Sequence, residues 1–218
     1  MHILYRLIYL TQCNWIGAKS MAETAQKAGR GRPRKFDPSE ALRTAQTLFH
    51  RRGYDGVSLS DLTGAMGITP PSFYAAFHSK AGLFDKALQR YSLEDGIPFA
   101  EILRPGRDVA KALGELLEEA AKRYSADAEA RGCLVLASRA AIEPEARQAA
   151  IALQTGATDI IRAFVVQTHP LSADAVTDYV AIFMAGLSAE ARAGATPQAL
   201  LRAARNAQTA LEGMLSLG

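Results

Sequence analysis

Residues 68–80, ITPPSFYAAFHSK, gather the side chains best suited to chemistry in this chain of 218 residues. Thr69, Ser72 and Tyr74 bring hydroxyls, Lys80 brings a cation, and Pro70 and Pro71 stand side by side in a stretch that otherwise reads as helix. Proline inside a helix removes a backbone donor and clashes with the preceding turn. At the first two helical positions the missing N–H groups would have no intrahelical partner anyway, so the pair reads as a helix start with Thr69 as N-cap. Phe73 and Phe77, four apart, then share the inward face. Tyr74 is rotated off that face, where its hydroxyl can reach a phosphate; the alternative is a partly buried core tyrosine. Lys80 falls in the first turn of the next helix, where free N–H groups and the helix dipole already favour an anion. A solvated lysine is the alternative there. Thr69, Pro70, Pro71 and Ser72 form the tip of that helix, where two apolar rings stand beside two hydroxyls.

Such a tip needs elements to hold it, and capping signals supply them. Asp37 reads as an N-cap, with Pro38 first in its helix and Glu40 third, as in a capping box. Ala41, Leu42, Ala45, Leu48 and Phe49 form its buried stripe, and Gly53 ends it. Ser58 opens a second helix with Asp61 three residues on, Val57 and Leu62 placed as a hydrophobic staple, and Gly67 as the stop. The third runs from Thr69 to about Phe77 with Phe73 packed on Ile68, and Ser79 caps a fourth carrying Leu83, Phe84, Ala87, Leu88 and Tyr91. Two helices joined by a tight glycine turn behind a longer one make a helix-turn-helix arrangement. An ordinary helical bundle would use the same caps.

Composition favours an all-α chain: 49% of residues are hydrophobic, alanine is abundant and β-branched runs are few. Cys13 and Cys133 lie far apart with no pairing pattern, which indicates a reducing compartment. Residues 21–90 hold eleven Lys/Arg against six Asp/Glu, a net +5, while residues 91–218 hold twelve against sixteen, a net −4. A basic front on a mildly acidic body suits a polyanionic partner. Residues 1–20 are apolar but lack a basic leader, are interrupted by Arg6, and fall short of the ~20 apolar residues of a membrane span. Met21 would make a start of its own, so residues 1–20 are expected to be an upstream extension of the reading frame. Residues 22–36 are polar, basic and punctuated by Gly and Pro, so residues 1–36 read as a disordered extension and basic arm.

The stretch ALRTAQTLFHRRGYDGVSLSDLTGAMGITPPSFYAAFHSKAGLFDKAL, residues 41–88, closely resembles the DNA-binding domain of the TetR family of bacterial transcriptional regulators. The likeness is carried by Ala45, Leu48-Phe49, Gly53-Tyr54, Ser58, Gly67-Ile68, Tyr74, Phe77 and Ser79-Lys80. It implies a three-helix helix-turn-helix domain over residues 37–93 and a C-terminal helical ligand-binding and dimerisation domain over residues 97–218. It also implies phosphate contacts at Ser58, Tyr74 and Lys80, with base choice left to Thr69, Pro70, Pro71 and Ser72. These lead the third helix into a major groove, with a proline ring on a thymine methyl and Ser72 and Tyr74 making polar contacts. The sequence departs from the family pattern at Ala76, where a phosphate-contacting histidine is frequent, and at Ala81, where a glutamate is usual. His78 either substitutes for the first or is solvated. In the arm, Gly31-Arg32-Pro33-Arg34 resembles an AT-hook core, which would place Arg32 and Arg34 in a narrow A·T-rich minor groove. A basic tail that only raises non-specific affinity is the alternative.

Beyond residue 97 the chain reads as helices over 108–123, from about 132, 144–168, 172–193 and 197–215. The resemblance implies a homodimer through the last two, and Ala185, Ala189 and Ala193 give a stripe permitting close helix approach; intrachain packing would give the same stripe. Cys133, Leu136, Phe164, Tyr179, Phe183 and Met184 are the effector-pocket candidates, each also readable as plain core. Cys133 could sense oxidants if a positive neighbourhood lowered its pKa, whereas the family's frequent Gly-Cys-Leu suggests packing. No metal-ligand spacing, phosphate loop or nucleophile elbow is present, so no cofactor, metal or catalysis is expected. The resemblance implies a cytoplasmic, nucleoid-associated regulator of double-stranded DNA with a palindromic operator, a repressor released by a small-molecule effector. The alternatives are an effector-independent DNA-binding protein and a helical enzyme or ligand carrier.

Overall fold

A computed structural model of the chain describes residues 37–216, so the expectations for Arg32, Arg34 and the rest of residues 1–36 lie outside the described residues. Regular structure among the described residues is entirely helical. The front carries α1 (Pro38–Arg52), α2 (Leu59–Met66), α3 (Pro70–Phe77) and α4 (Lys80–Arg90). A π-helical turn, Tyr91–Asp95, prolongs α4, and the short α5 (Phe99–Ile102) follows. The body carries α6 (Val109–Ala126), α7 (Leu134–Ser138), α8 (Pro144–Val165), α9 (Ala173–Arg192) and α10 (Pro197–Ser216). The residue pattern signals neither the π turn nor α5; the other helices fall within a few residues of their expected bounds.

Caps explain the boundaries of the front. Ser58 Oγ accepts from Asp61 N at 3.1 Å, and Asp61 Oδ2 accepts from Ser58 N at 2.8 Å, a complete capping box for α2. Ser79 accepts from Gly82 N at 2.9 Å and opens α4. Two expected caps differ. Asp37 accepts from Ser39 N, while Glu40 turns to Arg43 at 3.3 Å, because a cation one turn on is a better partner for a carboxylate than the N-cap amide. Thr69 holds the N-cap position of α3 without a side-chain cap bond. Pro71 has no N–H to offer it, and its hydroxyl instead meets Ser72 Oγ at 3.0 Å.

Packing then fixes the front. Phe49 of α1, Tyr54 in the turn after it and Phe84 of α4 form a ring cluster, with centroids 4.9 Å apart for both contacts to Phe84. Phe73 and Phe77 are buried as their spacing requires, and Leu62 of α2 is fully buried in the same core. In the body, α6 packs on both α9 and α10, burying Leu113, Leu116, Leu117 and Tyr124, while α8 packs on α4, α7 and α9.

The corner between α3 and α4 is strained. His78 has φ +65° and ψ −44°, and Ser79 N donates to Phe77 O at 2.7 Å, a γ-turn of the rarer hand. Gly82 accommodates it, since a Cβ there would lie 2.7 Å from the Phe77 carbonyl oxygen. Glycine reaches positive φ without steric cost. The substitution H78G should therefore raise stability by about 1 kcal/mol, a rise of roughly 3 °C in Tm, after allowing for glycine's extra unfolded-state entropy. Thermal denaturation checks this, and an unchanged or lower Tm would mean that the turn carries no strain.

Candidate nucleic-acid interface

The head of α3 is open to solvent. Thr69, Pro70, Pro71, Ser72 and Ala75 are exposed, and Tyr74 keeps half of its surface exposed (51%) while its ring edge rests on Phe73 at 5.6 Å. The Thr69–Ser72 contact consumes one hydroxyl hydrogen, leaving the other and free lone pairs to face outward. Pro70 and Pro71 present apolar rings where a helix normally presents N–H groups.

Ser58 and Lys80 are less free than the head of α3. The Ser58 hydroxyl donates to Asp61 Oδ2 at 2.6 Å, so a phosphate could take that hydrogen only by displacing the carboxylate. Arg52 also grips Asp61, at 3.0 Å, and with Ser58 holds its carboxyl well below the usual carboxylate range. Lys80 is half-buried, with its Nζ 4.0 Å from the centroid of the Tyr54 ring. Burial pulls its pKa down, while Asp55 and Glu143 act the other way.

Sequence reasoning missed the residues that brace this front and fasten it to the body. His50, in the last turn of α1, lies 3.0 Å through Nε2 from the carbonyl of Gly132. A carbonyl only accepts, so Nε2 carries the proton. Gly132 has φ +78°, and a Cβ there would strike Arg192 and the Ser188 carbonyl of α9 at 2.7 and 2.8 Å. Asp55 accepts from the Ile142 amide at 3.0 Å, just ahead of α8. Gln46 bridges Asp95 and Arg90 at 2.7 Å each. These pairs span 44 to 87 residues of sequence, so no local pattern announces them.

The six pocket candidates do not share one face. Cys133, Phe164 and Met184 are buried, whereas Leu136, Tyr179 and Phe183 are half-buried. The Cys133 sulfur sits between the hydroxyls of Tyr91 and Tyr124, and burial pushes its thiol pKa up. That setting keeps the thiol protonated and fits the packing alternative. On α9, Asp174 bonds Arg162 at 2.6 Å, Ser188 accepts from Cys133 N at 2.9 Å and Arg192 reaches the Arg131 carbonyl at 3.2 Å. Those three mark the flank toward α7 and α8. At 100° per residue, Tyr179 and Phe183, stacked at 5.8 Å, fall on the opposite flank. Next to them runs an outward strip of Ile182, Gly186, Ala189 and Ala193, with Ala185 half-buried at its edge.

Among the described residues no helix is long and apolar enough to cross a membrane, and no cluster of His, Cys, Asp or Glu is arranged to hold a metal. Residues 41–87 match the family of bacterial regulatory proteins, tetR family. The chain is 43% identical over 185 residues to the HTH-type transcriptional repressor BdcR of Escherichia coli (strain K12), covering 85% of this chain and 94% of that one. It is 32% identical over 130 residues to the HTH-type transcriptional repressor ComR of the same organism, covering 59% of this chain and 62% of that one. Among solved structures it is similar to a cysteine mutant of the TetR family transcriptional regulator CifR complexed with 26-bp operator DNA. That likeness has a TM-score of 0.74 at 34% identity and covers 82% of this chain and 99% of that one.

The seat of His50 carries a pH signature. Burial, the largest influence, and Arg192 lower its pKa below the ordinary 6.5, outweighing the Gly132 carbonyl, Asp127 and Asp95. The unfolded chain then binds the proton more readily than the fold does, so stability falls as pH drops from about 6.5 through the folded pKa. The Tm of the wild type should decline more steeply than that of H50Q between about pH 6.5 and 5. Parallel declines would place the acid sensitivity elsewhere.

Proposed function

The chain belongs to the TetR family of bacterial regulatory proteins, and from that premise we propose a sequence-specific DNA-binding transcriptional regulator, a repressor released from its operator by a small molecule. The observation that carries this reading is the head of α3: two prolines, a paired Thr69 and Ser72, and an exposed Tyr74 on a helix whose other side is locked into the core. Residues 37–93 are taken as the DNA-binding part and residues 97–218 as the effector-binding and dimerisation part. In the major groove the proline rings and hydroxyls of α3 would meet base edges. Tyr74, Lys80 and Ser58 would meet phosphates, Lys80 by leaving the Tyr54 ring and Ser58 by releasing Asp61. The reading assigns a binding role in the cytoplasm and no catalysis.

Dimerisation is assigned to α9 and α10. The outward strip of α9 supports this, because Ile182 is exposed by 73% beside Gly186, Ala189 and Ala193, small enough for a second backbone to approach closely, with exposed charges only at its ends, Asp178 and Glu190. Two linked recognition helices bind paired half-sites with high effective concentration. An effector that altered their separation would lower operator affinity without touching a single DNA contact. The packing of α4 on α8, with the Asp55–Ile142 and His50–Gly132 bonds, would carry a shift of α7 or α8 to the front.

Selection of bound sites from random DNA should return a near-palindrome with half-sites about one helical turn apart or somewhat more. Recovery of no motif, with affinity governed by salt alone, would replace this reading by a non-specific DNA-binding protein. On the selected site, K80A should weaken binding to all variants alike and reduce the salt slope by about one, whereas P71A should change their ranking. The substitution A189E should give monomers in sedimentation at micromolar concentration and bind the full site no better than a half-site.

A further inference from the structure

We propose that Glu143, at the head of α8 in the body, restrains the phosphate grip of Lys80 in the front, so that the protein holds DNA more weakly than its own cations would allow. The proposal rests on the reading of Lys80 as a phosphate contact of a DNA-binding protein. It names a residue outside the DNA-facing half that sets affinity at that contact.

A chain of contacts brings Glu143 to the start of α4. The Lys80 ammonium lies 4.0 Å from the centroid of the Tyr54 ring, which gives it a face to rest on without neutralising it. Asp55, the residue after Tyr54, accepts from the Ile142 amide at 3.0 Å, and Glu143 follows Ile142 directly. The helices that carry the two partners also pack together, α4 on α8. Asp55 and Glu143 are the charges that act on Lys80, and Glu143 is foremost among those that act on the Tyr54 ring beneath it. Cation, ring and both acids thus form one cluster across the junction of front and body.

The two acids differ in what else holds them. Asp55 has an oxygen committed to the Ile142 amide. Glu143 is exposed and occupies the N-cap position of α8 without a side-chain bond to the helix. Ser, Thr, Asp or Asn at that position would turn an oxygen onto the first free amides; glutamate leaves its charge to act across the junction. Arg147, one turn on and the nearest cation along α8, donates to the Ala141 and Ile142 carbonyls instead of to Glu143.

The sign of the effect follows from Coulomb's law. A phosphate drawn to Lys80 arrives beside these carboxylates. Glu143 attracts the ammonium that the phosphate needs, and it repels the phosphate itself, so both effects weaken the grip. Charges within a Debye length of each other, ~10 Å at 0.1 M salt, are only partly screened. One unit charge acting at such a range changes binding by about two- to fourfold. Asp55 belongs to the front and travels with Lys80. Glu143 is carried by α8, so through it the grip answers to the body.

The test uses the full chain and a fluorescent duplex carrying the site selected from random DNA, with affinity read by anisotropy between about 0.05 and 0.3 M salt. E143Q should bind about two- to fourfold more tightly than wild type at the lower salt, and E143K more tightly still. Both ratios should shrink toward one as salt rises. D159N removes the same charge from an exposed position about four turns further along α8, and should bind as wild type does. In a K80A background most of the E143Q gain should vanish, because the ammonium that Glu143 restrains is gone. Unchanged affinity in E143Q would overturn the proposal and leave the DNA-binding reading in place. Equal gains with and without Lys80, or an equal gain in D159N, would overturn it too, since Glu143 would then act only as general surface charge. If K80A itself binds as tightly as wild type, the phosphate contact fails and the restraint falls with it. Should selection return no site, the same ratios read on a random duplex decide the restraint separately from sequence specificity.

Discussion

The ring cluster of Phe49, Tyr54 and Phe84 is the contact on which the DNA-facing half depends. It draws one ring from α1, one from the turn after it and one from α4, and its two closest pairs meet edge to face. Burial of each large apolar side chain contributes roughly 1.5–3 kcal/mol, and each well-placed ring pair about 1 kcal/mol more. Against a net stability of about 5–15 kcal/mol this is a large share of what keeps the front folded. It also fixes α4 about its own axis, so the strained corner at His78 and the capped start at Ser79 are held at a set angle to α3. Lys80 rests on the outer face of the same Tyr54 ring, which links the position of a cation to the integrity of the core.

The front is tied to the body by the packing of α4 on α8 and by a few directional bonds from chain-distant residues. His50 reaches the Gly132 carbonyl and Asp55 the Ile142 amide, while Gln46 braces α1 on the π turn that prolongs α4. Each is a hydrogen bond worth about 1 kcal/mol net, so these bonds set the geometry of the attachment while apolar packing supplies most of its strength. The Gly132 carbonyl can be reached only because its residue takes a left-handed conformation with no side chain against α9.

Local chemistry made much of this legible in advance. The capping box at Ser58 and Asp61, the glycine stops, the proline start of α3 and the inward pair Phe73 and Phe77 are all dictated within one or two turns of sequence. Glu40 and Thr69 departed from expectation where a competing neighbour, Arg43 or Ser72, offered a partner as near as the backbone. Tyr179 and Phe183 show a different limit. Aromatic residues on an apolar helix read as core, but which flank they occupy depends on where Asp174, Ser188 and Arg192 find partners in other helices. The bonds of His50 and Asp55 lie further still from local rules, because nothing near either residue marks Gly132 or Ile142 as its partner.

The two prolines of α3 divide the work of recognition in the proposed reading. A helix N-terminus ordinarily offers N–H groups and a favourable dipole to a phosphate. Pro70 and Pro71 delete two of those donors, and the Thr69 hydroxyl spends itself on Ser72 instead of capping. The head of α3 is thereby poor at holding a backbone anion and better suited to apolar and hydroxyl contact with base edges. The start of α4 has the opposite character: Ser79 caps it, free N–H groups remain in its first turn, and Lys80 lies beside them. Reading and gripping thus fall to consecutive helix starts joined by the γ-turn at His78, whose fixed geometry keeps the two in register along the groove.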